Sequence, residues 1–218
     1  MSRIYFAIVN RGKANPLMKK VKKLGIQEGT VLLGEGTIRS KVLEPLGLNQ
    51  TQKEVVMIPV NKQQDEELHK VISEEFHFDQ KNKGIGFSVP FAKWVPGSIH
   101  FGLESDVFEY SLIMAIVKKG MSREIIKIAH AAKARGGTVI HGKGTGEKQD
   151  YYFPINVEPQ KDTVLIVVNN KVKDTVQEMI SKELESDSEI TGVVFSLPVV
   201  LTSGIFEGEY ELEGGPSE

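Results

Sequence analysis

The chain has 218 residues, no cysteine and a formal net charge of −2 at pH 7. Without cysteine it can form no disulfide, thiolate metal site or thiol nucleophile, and it fits the reducing cytoplasm, the location that we expect. The near-neutral charge gives no field that would favour nucleic acid. With 40% hydrophobic and 26% charged residues, the composition is typical of a folded domain and argues against membrane insertion.

The first 33 residues of the chain predict a strand, a helix and a second strand. Residues 4–9 form an apolar run that is typical of a strand. Asn15 and Pro16 follow, and this pair is typical of the N-cap and first turn of a helix. Residues 30–33 are β-branched and apolar, which predicts the second strand. No signal-peptide pattern precedes these elements.

A third strand, a second helix and a fourth strand are predicted next. Residues 55–60 form the third strand. Leu68, Ile72 and Phe76 are spaced as one face of a helix. Residues 85–89 predict the fourth strand, and Pro90 is expected to end it because proline cannot donate a backbone hydrogen bond.

The second half of the chain repeats the first at a shift of 108 residues, so that residues 6–12 return as 114–120 and residues 29–37 as 137–145. A period of this length is the size of a small domain. We therefore expect one domain in residues 1–103, a second in residues 107–206 and an acidic flexible tail in residues 207–218. The no-gap shift also identifies equivalent residues in the two repeats.

The βαββαβ order predicts an α+β fold of two tandem ferredoxin-like domains, each with an antiparallel sheet and both helices on one face. The other face of each sheet is partly apolar and needs cover. The sister repeat could supply this cover, and so could other chains.

The connection between the second and third strands is much longer than a hairpin needs, and long loops on a rigid sheet often carry function. In repeat two it begins His141-Gly142-Lys143-Gly144-Thr145-Gly146. Alternating glycines allow backbone N–H groups to approach an anion, and Lys143 and Lys161 could neutralise its charge. The alternative is a glycine-rich strand end with solvated lysines.

This glycine run, the loop end Pro159-Gln160-Lys161 and the turn Lys81-Asn82-Lys83-Gly84 resemble the PII signal-transduction (nitrogen regulatory) family, in its divergent PII-like branch. The resemblance spans both repeats, as a tandem duplication. It implies trimers of ferredoxin-like units with an adenine nucleotide (ATP, ADP or AMP) bound between them. It also implies a non-catalytic regulator whose long loops, the T-loops, control a partner enzyme or transporter.

Carried over residue by residue, the resemblance places the phosphate contacts at three positions of the chain. These are the T-loop base, the lysine before the third strand, and the B-loop before the fourth strand. The candidate ligand-binding residues are Lys143, Gly144, Thr145, Gly146, Lys161, Lys81, Lys83 and Gly84, with Gly36 and Thr37 at the T-loop base of repeat one. Glu147-Lys148 replaces the family's arginine-glutamine pair, and no tyrosine has the usual modification context, so uridylylation is not implied.

The two repeats depart from the family pattern in complementary ways. Repeat one has Glu35 where repeat two has Lys143, whereas the B-loop of repeat two reads Glu189-Ile190-Thr191 and lacks both lysines. One hypothesis is a composite cleft between the T-loop base of repeat two and the B-loop of a neighbouring repeat one. The competing hypothesis is that both sites have been lost.

Three further features have two interpretations each. His141 either touches an anion or is a surface residue at a strand end. The aromatic run at residues 151–154 either meets a partner or packs under its own loop, and the basic residues 11–23 either form a solvated helix face or steer anions. The five histidines share no ligand spacing, so we expect no metal site and no resident cofactor.

Two rival functions stay open. An acylphosphatase-type hydrolase needs an asparagine and an arginine after the first strand, which Asn10 and Arg11 provide, although repeat two has Lys118 and Lys119 there. The chain could also be an assembly module with inactive sites. We further expect self-association, most simply three chains in two stacked rings, and we expect residues 146–159 to be the most mobile segment between the termini.

Overall fold

The computed structural model describes residues 2–37, 50–91, 108–143, 160–186 and 192–205. Repeat one forms β1 (Ser2–Asn10), α1 (Ala14–Lys23), β2 (Thr30–Thr37), β3 (Gln50–Val60), α2 (Lys62–Phe76) and β4 (Gly84–Phe91). Repeat two forms β5 (Tyr110–Lys118), α3 (Ser122–Ala131), β6 (Thr138–Lys143), β7 (Gln160–Asn169), α4 (Asn170–Ser186) and β8 (Gly192–Val199), and a short strand β9 (Leu201–Ser203) follows. The α+β fold and the βαββαβ order are thus confirmed. Within the described ranges, no helix is long and apolar enough to cross a membrane.

Each repeat is a four-stranded antiparallel sheet with its two helices on one face. In repeat one β1 lies between β3 and β4, and in repeat two β5 lies between β7 and β8. Alternate residues of each central strand pack under the helices in two separate apolar cores, one for each repeat. The predicted domain boundaries at 103, 107 and 206 fall outside the described residues.

Two predicted element ends are wrong. Helix α1 begins one residue before Asn15, and its first amide, Ala14 N, donates to the Glu54 carboxylate at 2.8 Å, so a side chain from β3 caps it. Strand β4 continues through Pro90 to Phe91. On its outer side β4 pairs with β9 only at residues 86–88, so among the described residues no strand lies beside Pro90 there. Proline is tolerated at such an edge because no partner strand needs its missing N–H group.

The two sheets are joined edge to edge into one nine-stranded sheet, which the sequence did not predict. Its strand order is β8-β5-β7-β6-β2-β3-β1-β4-β9. The inter-repeat joint is the antiparallel pairing of β2 with β6, in which Gly34, Glu35 and Gly36 lie opposite Ile140, Val139 and Thr138. Beyond these pairs, Thr37 N donates to Gly137 O at 3.0 Å.

The sheet curls until its two ends meet. Strands β8 and β9 lie at opposite ends of the strand order, yet only Val200 separates them in the chain. The inner faces of both repeats therefore enclose a third apolar core, in which Phe6 and Phe87 stack with ring centroids 5.0 Å apart. Leu112, Leu165 and Val199 of repeat two complete it.

This shared core answers the question of what covers the open sheet faces. Of the two alternatives, the sister repeat supplies the cover. Three-membered rings built on these faces would require the two repeats of a chain to separate.

A buried polar network holds β9 against repeat one. The His69 ring lies between two hydroxyls, with Nδ1 2.7 Å from Ser203 Oγ and Nε2 2.9 Å from Ser88 Oγ. Ser88 Oγ also donates to the Asp65 carboxylate, which accepts from Arg3 Nη1 at 2.7 Å. Because Ser203 belongs to β9, this network connects the end of repeat two to α2 and β4 of repeat one.

Candidate functional site

Three neighbouring strand ends of repeat two carry the lysines of the candidate site. By strand alternation, Lys118 and Lys161 lie on the inner face of the sheet and Lys143 lies on the helix face. Lys161 at the start of β7 lies opposite Lys118 at the end of β5 on one side and opposite Gly142 of β6 on the other. Lys143 lies one position further along β6, opposite Gln160. We call Lys118, Lys143 and Lys161 the repeat-two lysine cluster. Lys118 and Lys143 are exposed, and Lys161 is half-buried.

The Lys118–Lys161 pair places two positive charges directly opposite each other on adjacent strands. Cross-strand neighbours have Cβ atoms only about 5 Å apart, and like charges in this position destabilise a sheet. In repeat one the equivalent pair is Asn10 and Lys53, and there Lys53 Nζ donates to Asn10 Oδ1 at 2.6 Å. In repeat one the lysine at this position is thus hydrogen-bonded to a neighbouring side chain. In repeat two the position holds two adjacent positive charges.

Asp162 anchors the cluster to helix α3. Its side chain is 1% exposed, and its Oδ2 accepts from Gly120 N at 3.0 Å and from Ser122 Oγ at 2.7 Å. Burial opposes the charged form of this carboxyl. Hydrogen bonds from His141, Ser122 and Gly120 N outweigh burial, so the pKa of Asp162 lies below its usual value. Asp162 therefore stays an anion and occupies the N-terminus of α3.

His141 connects this carboxylate to the inter-repeat joint. Its Nδ1 lies 2.8 Å from Asp162 Oδ1, and its Nε2 lies 3.8 Å from Glu35 Oε1 of repeat one. The His141 side chain is 47% exposed, so the interpretation as a surface residue at a strand end agrees with its position. His141 thus links Asp162 of β7 to Glu35 of β2. Both contacts help to fix the end of β6, which leads into Gly142 and Lys143.

The basic residue that follows the first strand of each repeat, Arg11 or Lys119, makes the same two contacts in both repeats. Lys119 N and Nζ donate to Gln160, through its backbone oxygen at 3.1 Å and its Oε1 at 2.5 Å. Arg11 makes the equivalent two contacts with Gln52. These contacts fix the turn before α1 and α3 and orient the neighbouring Lys53 and Lys161.

Gly36 and Thr37, predicted at the T-loop base of repeat one, are parts of the inter-repeat joint. Gly36 is buried, and a Cβ there would lie 2.7 Å from Lys53 Cε. Thr37 Oγ1 donates to Gly137 O at 3.1 Å and accepts from Gly137 N at 3.0 Å. The Lys53 side chain thus lies over Gly36, and the backbone N–H and hydroxyl of Thr37 are bonded to Gly137 of repeat two.

Lys81, Lys83 and Gly84 lie in a different part of the sheet from Lys143 and Lys161. The turn that carries both B-loop lysines is held by Asn10 Nδ2, which donates to Asn82 O at 3.2 Å. Gly84 lies on β4 opposite Val9, where a Cβ would lie 2.5 Å from Phe78 Cε1. Strands β2, β3 and β1 separate β4 from β6. A composite cleft therefore needs a second copy of the chain to bring Lys81 and Lys83 to the repeat-two lysine cluster.

Gly144, Thr145 and Gly146 lie outside the described residues, as do the aromatic run at 151–154 and the B-loop of repeat two. Among the described residues, sequence analysis missed Lys118 and Asp162 as parts of the site. The 108-residue shift could have identified Lys118, because it aligns this lysine with Asn10 of repeat one (118 − 10). The neighbouring position is lysine in both repeats, as Lys53 and Lys161. No comparable signal marked Asp162, since its role depends on contacts with Gly120, Ser122 and His141.

Comparisons with solved structures give distant likenesses. A candidate glycine cleavage system transcriptional repressor is 9% identical, with 90% of this chain and 97% of that chain covered, at a TM-score of 0.28. An anthrone oxidase-like protein is 9% identical, covering 93% of each chain, at a TM-score of 0.24. Aspartate kinase from Synechocystis is 9% identical over 88% of this chain and 43% of its own, at a TM-score of 0.26. TM-scores this low carry no argument, so the fold rests on the strand order itself.

No curated protein matches the sequence. The family model of the nitrogen regulatory protein P-II matches residues 110–209. These residues begin with β5, contain the repeat-two lysine cluster and continue past β9. The match confirms the resemblance for this half of the chain, and repeat two therefore belongs to the P-II family of nitrogen regulatory proteins.

Proposed function

We propose that the protein is a P-II-type regulator that binds a small anionic effector at the repeat-two lysine cluster and controls a partner protein. The observation that carries the proposal is the Lys118–Lys161 pair. An anion between the two lysines would offset their repulsion and gain a charge-assisted hydrogen bond from each. The family match supports the proposal, because the matched residues include both lysines and the family is named for nitrogen regulation.

The chemistry around the pair favours an adenine nucleotide as the effector. On the same face as Lys118, Val193 of β8 lies opposite Ile116, and Phe195 lies opposite Met114. Val193 is 55% exposed and Phe195 37% exposed. Lysines that meet phosphates beside an exposed aromatic and aliphatic surface suit a ligand with a charged end and a flat apolar end.

Occupation of the cluster would be transmitted to the T-loop of repeat two. Gly142 and Lys143 end β6 and lead directly into this loop, while Gln160 and Lys161 receive it. A ligand that binds one arrangement of these residues more tightly shifts the loop toward it, which is how a small effector controls a partner enzyme or transporter. Gly144, Thr145 and Gly146 belong to this proposal, as further ligand contacts.

Thermal unfolding in the presence of ATP, ADP, AMP, inorganic tripolyphosphate or small carboxylates tests the proposal. A ligand at one hundred times its Kd should stabilise the protein by about 2.7 kcal/mol. We expect ATP to raise the Tm more than tripolyphosphate does, because tripolyphosphate has nothing to place on Phe195. If none of these anions shifts the Tm, the alternative of an assembly module with inactive sites is favoured.

Lys143→Ala is the matching substitution test. A charge-assisted hydrogen bond contributes roughly 1.5–3 kcal/mol, so this change should weaken effector binding by about one to two powers of ten. Glu35→Ala changes the equivalent residue of repeat one and should have little effect on binding. Because Glu35 Oε1 lies 3.8 Å from His141 Nε2, the Tm of this variant is measured as well. Lys83→Ala tests the composite cleft, since it weakens binding only if a second copy of the chain closes the site.

A non-catalytic role agrees with the contacts of the residues that the acylphosphatase alternative needs. Asn10 is bonded to Lys53 and Asn82, and Arg11 is bonded to Gln52. Both side chains serve the turn before α1. Release of phosphate from an acyl phosphate by the purified protein would overturn this assignment.

The P-II family match also supports a homo-oligomer as the assembled form, as the family resemblance implies. We propose assembly through surfaces other than the inner sheet faces, since those already form the shared core. Light scattering at micromolar concentration tests it, and a stable monomer would contradict it.

A further inference from the structure

We infer that each chain holds a single effector site, in repeat two, and that the equivalent position of repeat one now serves the inter-repeat joint. The inference rests on the proposed function and adds the number and location of its sites. Two repeats with one fold would otherwise offer two sites per chain.

The cation of repeat one is already bonded within the protein. Lys53, the equivalent of Lys161, extends over Gly36 and donates its Nζ to Asn10 Oδ1 at 2.6 Å. Its burial lowers the pKa of the Lys53 ammonium, because a partly desolvated charge is less stable than a hydrated one. Although Lys53 is half-buried like Lys161, an anion that approaches it would have to displace Asn10.

The backbone of repeat one is similarly occupied. Gly34, the equivalent of Gly142, is buried, and a Cβ there would lie 2.8 Å from Val139 O. Thr37 N and Oγ1 are both bonded to Gly137. By contrast Gly142 is exposed, and no atom of the described residues lies within 4 Å of its Cβ position. At Gly34, the absence of a side chain allows Val139 O of repeat two to approach closely. At Gly142, the same space is available to a ligand.

The charge at the equivalent of Lys143 is reversed in repeat one. Glu35 occupies that position, and its Oε1 lies 3.8 Å from His141 Nε2. A carboxylate repels an anionic effector, and here it faces the histidine that orients Asp162. Replacing lysine by glutamate thus removes a ligand contact from repeat one and adds a contact across the joint.

The apolar surface beside the site is also accessible in repeat two and buried in repeat one. Phe195 is 37% exposed, whereas its equivalent Phe87 is fully buried, with its ring stacked on Phe6 and its backbone paired with Thr202 of β9. The flat end of a nucleotide therefore has a surface to meet in repeat two and none at the equivalent place in repeat one.

Isothermal titration of the full-length protein with ATP tests the inference through the stoichiometry. We expect about one ATP per chain. Lys161→Met, which keeps the side-chain stem and removes the charge, should weaken binding at least tenfold. Lys53→Met is the matched control at the equivalent position and should leave the Kd within about twofold and the stoichiometry unchanged.

The possible failures can be distinguished. Two ATP per chain, or a Kd as sensitive to Lys53→Met as to Lys161→Met, would overturn the single-site inference and leave the proposed function standing. No binding of ATP or of the other anions tested by thermal unfolding would overturn both. Circular dichroism and the Tm of each variant show whether a lost affinity reflects a lost fold.

Discussion

His69 is a buried histidine surrounded by partners from both repeats. It is bonded to Ser88 and Ser203, stacks edge-on against Tyr5, and faces Asp65 and Arg3. Burial lowers the pKa of His69 from 6.5 to about 4, while Asp65 acts in the opposite direction and Arg3 in the same direction to a smaller extent. The neutral ring is thus the form that the network holds at neutral pH.

This pKa predicts an acid-sensitive stability. Between pH 6.5 and pH 4 the unfolded chain binds a proton at His69 that the folded protein does not, so the free energy of unfolding falls as the pH falls. The total loss should be roughly 3 kcal/mol, complete below the folded pKa. Urea denaturation at several pH values measures it, and His69→Asn should flatten the profile in this window. Equal slopes for both proteins would contradict the prediction.

Asp162 is expected to contribute more to the free energy of unfolding than Glu54, the equivalent residue of repeat one. Asp162→Ala leaves Ser122 Oγ and Gly120 N without their acceptor at a buried helix start, which should cost about 2–3 kcal/mol of unfolding free energy. Glu54→Ala removes the bond to Ala14 N at the start of α1 and should lower the unfolding free energy by about 1 kcal/mol. Guanidinium denaturation at pH 7 compares them. Because the pKa of Asp162 is lowered, its contribution is present at neutral pH and is lost as acid protonates it.

At the scale of elements, the inter-repeat joint depends on the small size of Gly34. Adding a methyl group there forces Val139 O, 2.8 Å away, to move, and the β2–β6 pairing should loosen. We expect Gly34→Ala to lower the free energy of unfolding by about 1–3 kcal/mol. Gly142→Ala is the control, since its Cβ position is open. Equal Tm values for the two variants would show that the joint tolerates the extra carbon.

Most elements could be predicted from the sequence because their signals are local. Alternation and helical spacing identify β1 and α2 from their own residues, and the 108-residue shift transfers them to repeat two. Strand β9 has three residues and depends on β4 for its pairing, so no local pattern marks it. The same holds for the β2–β6 joint, whose glycines resemble a ligand-binding run until Val139 is seen beside Gly34.

The candidate site could be predicted only in part for the same reason. Residue type and family resemblance located Lys143 and Lys161. The pairing of Lys161 with Lys118 needs the register of β5 against β7, and the covering of Gly36 needs the side-chain path of Lys53. Register and side-chain paths are tertiary properties that a single sequence does not display.

At the scale of the whole molecule, the two repeats should unfold together. They share the core around Phe6, Phe87 and Leu165, one continuous sheet and the His69–Ser203 contact. Neither repeat keeps a covered inner face without the other. Calorimetry should therefore show one transition whose van't Hoff and calorimetric enthalpies agree. Two separate transitions would mean that the repeats are independent domains.

The position of β9 has a consequence for how the chain is made. Translation delivers repeat one first, with the inner side of Phe6 and the outer edge of β4 both uncovered. The residues that cover them, from Leu112 to Ser203, leave the ribosome later, and β9 comes after every other described strand. An exposed apolar face beside an unpaired strand edge is the combination that promotes aggregation of nascent chains. We therefore expect repeat one to keep an uncovered apolar face until repeat two has been made, and we expect chaperones that bind apolar nascent segments to act on the chain during that interval.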